Sequence, residues 1–279
     1  MKKIIAAFDG LKYSKSTRDY AIYLSKQTDT HLVGIFLDDP TYSSYKIYEL
    51  ITKEGISEEK IKKYKSEDIV LRKSSSDDFE NECKKAGLTF STHHDHNIAK
   101  IEIKHESIYT DLMVIDSKET LTHYTEKIPT RFIRDLLSDV QCPVLLVPQK
   151  YKPIEKIILL YDGEPSSVQA IKMFSYLLPQ LQQIETEVIC VNAPTGTLHL
   201  PDNKLMKEFM KRHFPRAKYT VIKGWAEEEI TKFLKKKTEN TLVVLGAYRR
   251  GSISRLFRQS MADILMKEVK FPLFIAHNS

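Results

Sequence analysis

Two Asp-Gly pairs, Asp9-Gly10 and Asp162-Gly163, each close a short apolar run: KIIAAF before the first, KIILLY before the second. An aspartate at the end of a buried strand can accept hydrogen bonds from an amino group or a sugar hydroxyl, and glycine permits close backbone approach. The same pair also suits a helix cap and a tight turn, so the two readings stand side by side. A richer constellation follows the run TLVVL: the segment GAYRRGSISRLFRQSMADIL, from Gly246 to Leu265. A loop of Arg, Gly and Ser leading into a helix offers phosphate three things: backbone N–H groups, the positive end of a helix dipole and guanidinium groups. Arg249, Arg250, Arg255 and Arg258 fall within ten residues, with Gly251 and Ser252 between them able to form a shifted loop. A run of charge on a helix is equally the mark of a solvated face.

Other chemistry is poorly supported. The stretch THHDHN, Thr92 to Asn97, gathers three histidines and an aspartate at spacings that zinc or nickel could use. Successive residues of an extended chain point to opposite sides, however, so His94 and His96 can converge while His93 points away. No metal site is expected. The sequence has no GxSxG elbow, GxxxxGK[ST] loop or HExxH helix, so no catalytic residue is assigned and an enzyme is not the favoured reading. Cys83, Cys142 and Cys190 are far apart and without CxxC spacing, which suits buried thiols.

These residues are positioned by a repeat. KIIAAFDG at Lys3 matches KIILLYDG at Lys156, DLMVIDS at Asp111 matches TLVVLGA at Thr241, and CPVLLVP at Cys142 matches FPLFIAH at Phe271. The first offset is 153 residues and the others 130 and 129, so the first copy carries extra residues, placed in the polar stretch Asp38 to Glu82 as a longer helical arm. The boundary falls in QKYKP, giving domains over 1–149 and 153–279. Continuous apolar runs such as VLLV and LVVL suit parallel strands buried on both faces. Strands are expected near 3–8, 31–37, 88–93, 111–115 and 143–147, then near 154–161, 186–192, 217–222, 241–246 and 272–276. Helices are expected at 14–28, 166–182, 227–236 and 254–267. This alternation predicts an α/β chain of two tandem, doubly wound, parallel five-stranded sheets of Rossmann-like type. The last strands, 143–147 and 272–276, would otherwise expose apolar edges, and their pairing would make the chain an intramolecular pseudo-dimer, with further homo-oligomers open.

The bulk numbers exclude several classes. With 42% hydrophobic and 29% charged residues the chain is globular, and a net charge of +6 only slightly favours an anionic ligand. No RNP-like, zinc-finger or basic-zipper pattern argues for nucleic acid. No run approaches the roughly 18 to 20 apolar residues of a membrane span, and the N-terminus lacks a signal peptide's apolar core, so the cytoplasm is the expected location.

The repeat and the segment after Gly246 resemble the universal stress protein family, whose fold is akin to that of the adenine nucleotide alpha hydrolases. Nucleotide-binding members carry, after the fourth strand, Gly, two residues, Gly, nine residues, then Gly and Ser or Thr. This sequence has Gly246, Arg249, Gln259 and Ser260 at that spacing, and GWAEEEI at Gly224 is similar to the family's GDPxEEI-like segment. The resemblance implies that Asp162 faces adenine or ribose, with Gly246, Ser260 and Met261 near ribose or phosphate and ATP or AMP as the ligand. Arg249 and Gln259 depart from glycine. In the first copy the same spacing reads Asp116, Glu119, Pro129 and Thr130 beside Asp9 and Gly10. Carboxylates there repel phosphate and Pro129 lacks an N–H, so this site reads as degenerate and nucleotide-free. The resemblance thus implies a stress-response protein binding an adenine nucleotide through its second domain. The alternatives are a nucleotide-free scaffold acting through protein partners, or a slow ATPase.

Overall fold

A computed structural model describes residues 1–37, 58–95, 98–246 and 260–276 of the chain. These residues form two compact units, Lys2–Gln141 and Cys142–Ser279, the latter also taking in Met1.

In the unit Lys2–Gln141, β1 (Lys3–Phe8), β2 (His31–Leu37), β3 (Phe90–Asp95) and β4 (Leu112–Asp116) lie in the order β3-β2-β1-β4. β1 pairs in parallel with β2 and β4, and β2 with β3. Ile4 to Phe8 and Leu112 to Asp116 are buried throughout, as the unbroken apolar runs require of strands covered on both faces. Helix α1 (Lys15–Thr28) starts where Ser14 Oγ accepts the Thr17 N–H at 3.3 Å, and it stops at Asp29 in the left-handed region, φ 50°. Helix α2 (Glu58–Lys85) supplies the expected arm in part, residues 38–57 lying outside the described residues. Its length is about 42 Å at 1.5 Å per residue. Only its C-terminal half is docked: Ser75, Ser76, Phe79 and Cys83 are buried, whereas Ile69, Val70 and Leu71 are exposed. Phe79 packs against Phe8, Phe36 and Phe90. It does so because β2 has glycine beneath it; a Cβ on Gly34 would lie 2.5 Å from the Phe79 ring. Arg18 ties α1 to α2 through Asp78 at 2.5 Å. Helices α3 (Ala99–Ile108) and α4 (Arg131–Asp139) complete the unit.

In the unit Cys142–Ser279 the order is β5-β10-β9-β6-β7-β8. Its strands are β5 (Val144–Val147), β6 (Lys156–Leu160), β7 (Glu185–Asn192), β8 (Lys218–Lys223), β9 (Thr241–Gly246) and β10 (Leu273–Ala276). All its pairings are parallel except that of β10 with β5, where Leu273 faces Leu146 and Ile275 faces Val144. The repeat places β5 at the end of the first copy. By contacts it belongs with the second half, because its antiparallel ladder with β10 covers an edge that would otherwise expose apolar side chains. Helix α5 (Pro165–Leu177) opens on proline, whose missing N–H costs nothing in a first turn. It is followed by a 3-10 turn (Pro179–Gln183), then α6 (Asn203–His213), α7 (Ala226–Lys235) and α8 (Met261–Glu268). Both units alternate strand and helix, which makes the chain α/β with a mostly parallel arrangement.

No helix among the described residues is long and apolar enough to cross a membrane. Cys83, Cys142 and Cys190 are buried and form no disulfide; burial pushes Cys83 up to about 12, and burial with the nearby Asp162 charge pushes Cys190 up to about 11.

Candidate functional site

Strand order reverses between β6 and β9, and the carboxyl ends of strands flanking such a switch point leave room for a ligand. A cavity of about 100 Å³ sits there, lined by Tyr161, Asp162, Val191, Ala226, Gly246 and Met261 together with Leu160, Ser167, Ile230 and Leu245. Three residues marked in the sequence, Asp162, Gly246 and Met261, therefore meet in one place. The rest of the lining went unmarked, although Ala226 and Ile230 belong to the GWAEEEI segment. Arg249, Gly251 and Ser252, with Arg250, Arg255, Arg258 and Gln259, lie outside the described residues.

Asp162 is exposed, and its Oδ1 accepts the Glu164 N–H at 2.9 Å, turning the chain into α5. Gly163 has φ +85°, and a side chain there would also lie 2.7 Å from Pro201 Cβ. Pro201 reaches this position because the loop after β7 folds back. Asn192 Nδ2 donates to the carbonyls of Thr197 (2.7 Å) and His199 (2.9 Å), and Tyr161 Oη donates to that of Pro201 (2.9 Å). Gly246 is required by packing: a Cβ would lie 2.4 Å from the Ser166 carbonyl oxygen and 2.5 Å from its carbon. Ser260 caps α8, its Oγ accepting the Asp263 N–H at 3.2 Å. Ser260→Ala is expected to lower the stability of this unit by about 1 kcal/mol in urea denaturation, the usual loss for such a cap.

At the corresponding place in the unit Lys2–Gln141 the polar groups bond to neighbours within the unit. Asp9, wholly buried, accepts the Leu11 N–H at 2.8 Å through Oδ1, and Gly10 presents its carbonyl to Ser75 Oγ at 2.9 Å. Asp116 at the end of β4 accepts from Lys118 N (2.8 Å) and Ser14 Oγ (3.0 Å). Glu119 Oε1 accepts the N–H groups of Thr120 and Leu121, both at 2.9 Å, with Leu121 at φ 49°. Its carboxyl is pushed up to about 7, first by burial and then by the Asp9 charge, against the pull of those N–H groups and of Lys12. Lys12 Nζ donates to Thr120 Oγ1 (2.8 Å) and the Thr122 carbonyl (2.7 Å). Thr130 caps α4 by accepting the Ile133 N–H at 3.2 Å while its hydroxyl donates to the Glu119 carbonyl at 2.5 Å. Thr130 and Ser260 thus do the same job in the two copies.

The histidines fall on separate partners. His93 Nδ1 lies 2.8 Å from Glu106, whereas His94 stacks on Phe36 and meets Ser76 Oγ at 3.2 Å; His96 lies outside the described residues. No group of three or more metal-ligating side chains occurs among the described residues.

No family model matches the sequence, and no curated protein matches it. Solved structures do match its fold. A universal stress protein from Archaeoglobus fulgidus DSM 4304 superposes with a TM-score of 0.71 at 13% identity, covering 99% of this chain and 98% of that one. A protein of unknown function from Pseudomonas aeruginosa PAO1 gives 0.64 at 12% identity, covering 99% and 92%. From the first strand to the last, this chain has the universal stress protein fold.

Proposed function

We propose that the unit Cys142–Ser279 binds an adenine nucleotide, ATP or AMP, and passes its ligand state to protein partners as a stress-response protein. The observation that carries this reading is the cavity at the β6/β9 switch point, where Asp162, Gly246 and Met261 converge. An apolar cavity of about 150 Å³ admits a benzene ring, whereas pockets for whole small molecules run from about 300 to 1,000 Å³. At about 100 Å³ the described cavity takes no more than the edge of a base, so the rest of the nucleotide would lie outside it, towards the start of α8. Asp162 would accept from the amino group or a ribose hydroxyl, and the unused N–H groups of the first turn of α8 would face the phosphates.

A second reading, a nucleotide-free scaffold, is favoured by two specific observations. Gly246 is explained by the Ser166 backbone and Ser260 by its cap on α8, with no ligand needed. Mass spectrometry of small molecules released on denaturing the purified protein separates the two: AMP or ATP in stoichiometric amount supports binding. No released nucleotide, together with no calorimetric signal at millimolar ATP or AMP, supports the scaffold. Sustained phosphate release above an Asp162→Ala control would instead make the protein a slow ATPase.

A further inference from the structure

Glu119 holds the position that spacing aligns with Arg249, yet its environment is unlike that of a surface carboxylate. It is 7% exposed, and its Oε1 sits in a small nest of two backbone N–H groups, the place an anion would take. Lys12 Nζ, bonded to the Thr120 hydroxyl, links this loop to Asp9, which is 0% exposed and whose Oδ2 is buried without a hydrogen-bond donor. Lys12 Nζ is 3.6 Å from that oxygen, an ion pair too long for a hydrogen bond. A buried acceptor left without a donor is costly, and a buried carboxylate within reach of another's charge ionises less readily. The charges acting on Glu119 are those of Asp9 and Lys12 from the loop after β1; Asp116 at the end of β4 meets it through the backbone, accepting the Glu119 N–H at its carbonyl (3.1 Å), with its two carboxylate oxygens engaged by Lys118 N and Ser14 Oγ.

We propose that Asp9 and Glu119 form a one-proton binding site, in which the bound proton locks the loop after β4 onto the loop after β1. On uptake, hydronium transfers its proton to the Glu119 carboxylate and leaves as water. The new O–H donates to the orphaned Asp9 Oδ2, while Glu119 Oε1 keeps its two backbone N–H groups. On release, Glu119 carries its charge beside Asp9 and no longer donates to it, so the 116–122 loop is held less firmly. The two copies have on this account taken different ligands at equivalent places: a proton in the first, independent of whether the second binds a nucleotide.

The sign follows from linkage. With Glu119 pushed up to about 7 from its ordinary 4.5, the folded unit binds the proton more tightly than the unfolded chain. Its contribution to stability is complete below about 4.5 and is lost as pH rises through about 7, the folding constant falling about 10-fold per unit within that window.

The test is carbon-detected NMR of Glu119 in the full chain, with the amide shifts of Thr120 and Leu121 followed from pH 4.5 to 8.5. The expected result is one midpoint near neutrality shared by the carboxyl and both amides. The amide transition should disappear in Glu119→Gln, and the carboxyl midpoint should fall in Asp9→Asn. A Glu119 midpoint in the ordinary carboxylate range, or amide transitions that persist in Glu119→Gln, overturns the proposal using the wild type and that variant alone. An unmoved midpoint in a folded Asp9→Asn overturns the sharing.

Discussion

Gly246→Ala is expected to destabilise the unit Cys142–Ser279 by about 3 kcal/mol, the upper end of what overpacking a filled interior usually costs. The added methyl would meet backbone: the Ser166 oxygen at 2.4 Å, its carbon at 2.5 Å and the Ser167 nitrogen at 2.9 Å. No side-chain rotation relieves such a clash, so β9 and the start of α5 must separate. Trp225, the chain's single tryptophan, is 68% exposed and reports little on unfolding, so urea denaturation is followed by the amide NMR signals of this unit. An unshifted midpoint would mean that the strand and helix part easily. Weaker nucleotide binding with unchanged stability would assign this glycine to the ligand instead of to packing.

Asp162→Ala is expected to weaken AMP or ATP binding about 10- to 100-fold, since a hydrogen bond to a charged group contributes about 1.5–3 kcal/mol. Asp162→Asn refines the interpretation. Its carbonyl can still accept the Glu164 N–H that turns the chain into α5, whereas the charge offered to the ligand is gone. A loss of affinity in both variants, with the turn intact in Asn, places the effect on the ligand. Retained affinity in Asn and loss in Ala places it on the turn.

The fold was legible because its signals are local and repeated. Runs such as KIIAAF and TLVVL form the expected buried strands, and the helix expected from Ser14 starts on its cap, whereas the helix expected over 254–267 is described from Met261, on the Ser260 cap. What escaped the sequence depends on tertiary proximity. The pairing of β5 with β10 was expected from their apolar edges and forms; that this ladder groups β5 with the second half rather than the first was not visible in the repeat. Asp116 and Glu119 were visible as carboxylates unsuited to phosphate. That Glu119 would turn back onto the N–H groups of Thr120 and Leu121 depends on the left-handed Leu121 and on β1 lying beside β4. Gly246 shows the converse: spacing selected it as a ligand residue, and the proximity of Ser166 supplies a packing reason that no spacing could reveal. Tyr161, Val191 and Leu245 line the cavity through strand adjacency; Tyr161 and Leu245 sit next to the marked Asp162 and Gly246, whereas Val191 carried no sequence signal.

The central claim is a single nucleotide site, in the second copy. Isothermal titration of the intact, ligand-stripped chain with AMP and with ATP tests it most directly, because stoichiometry counts the sites. One equivalent bound per chain, with the affinity lost in Asp162→Ala, is the predicted result. Two equivalents, or one that survives Asp162→Ala unchanged, would contradict it.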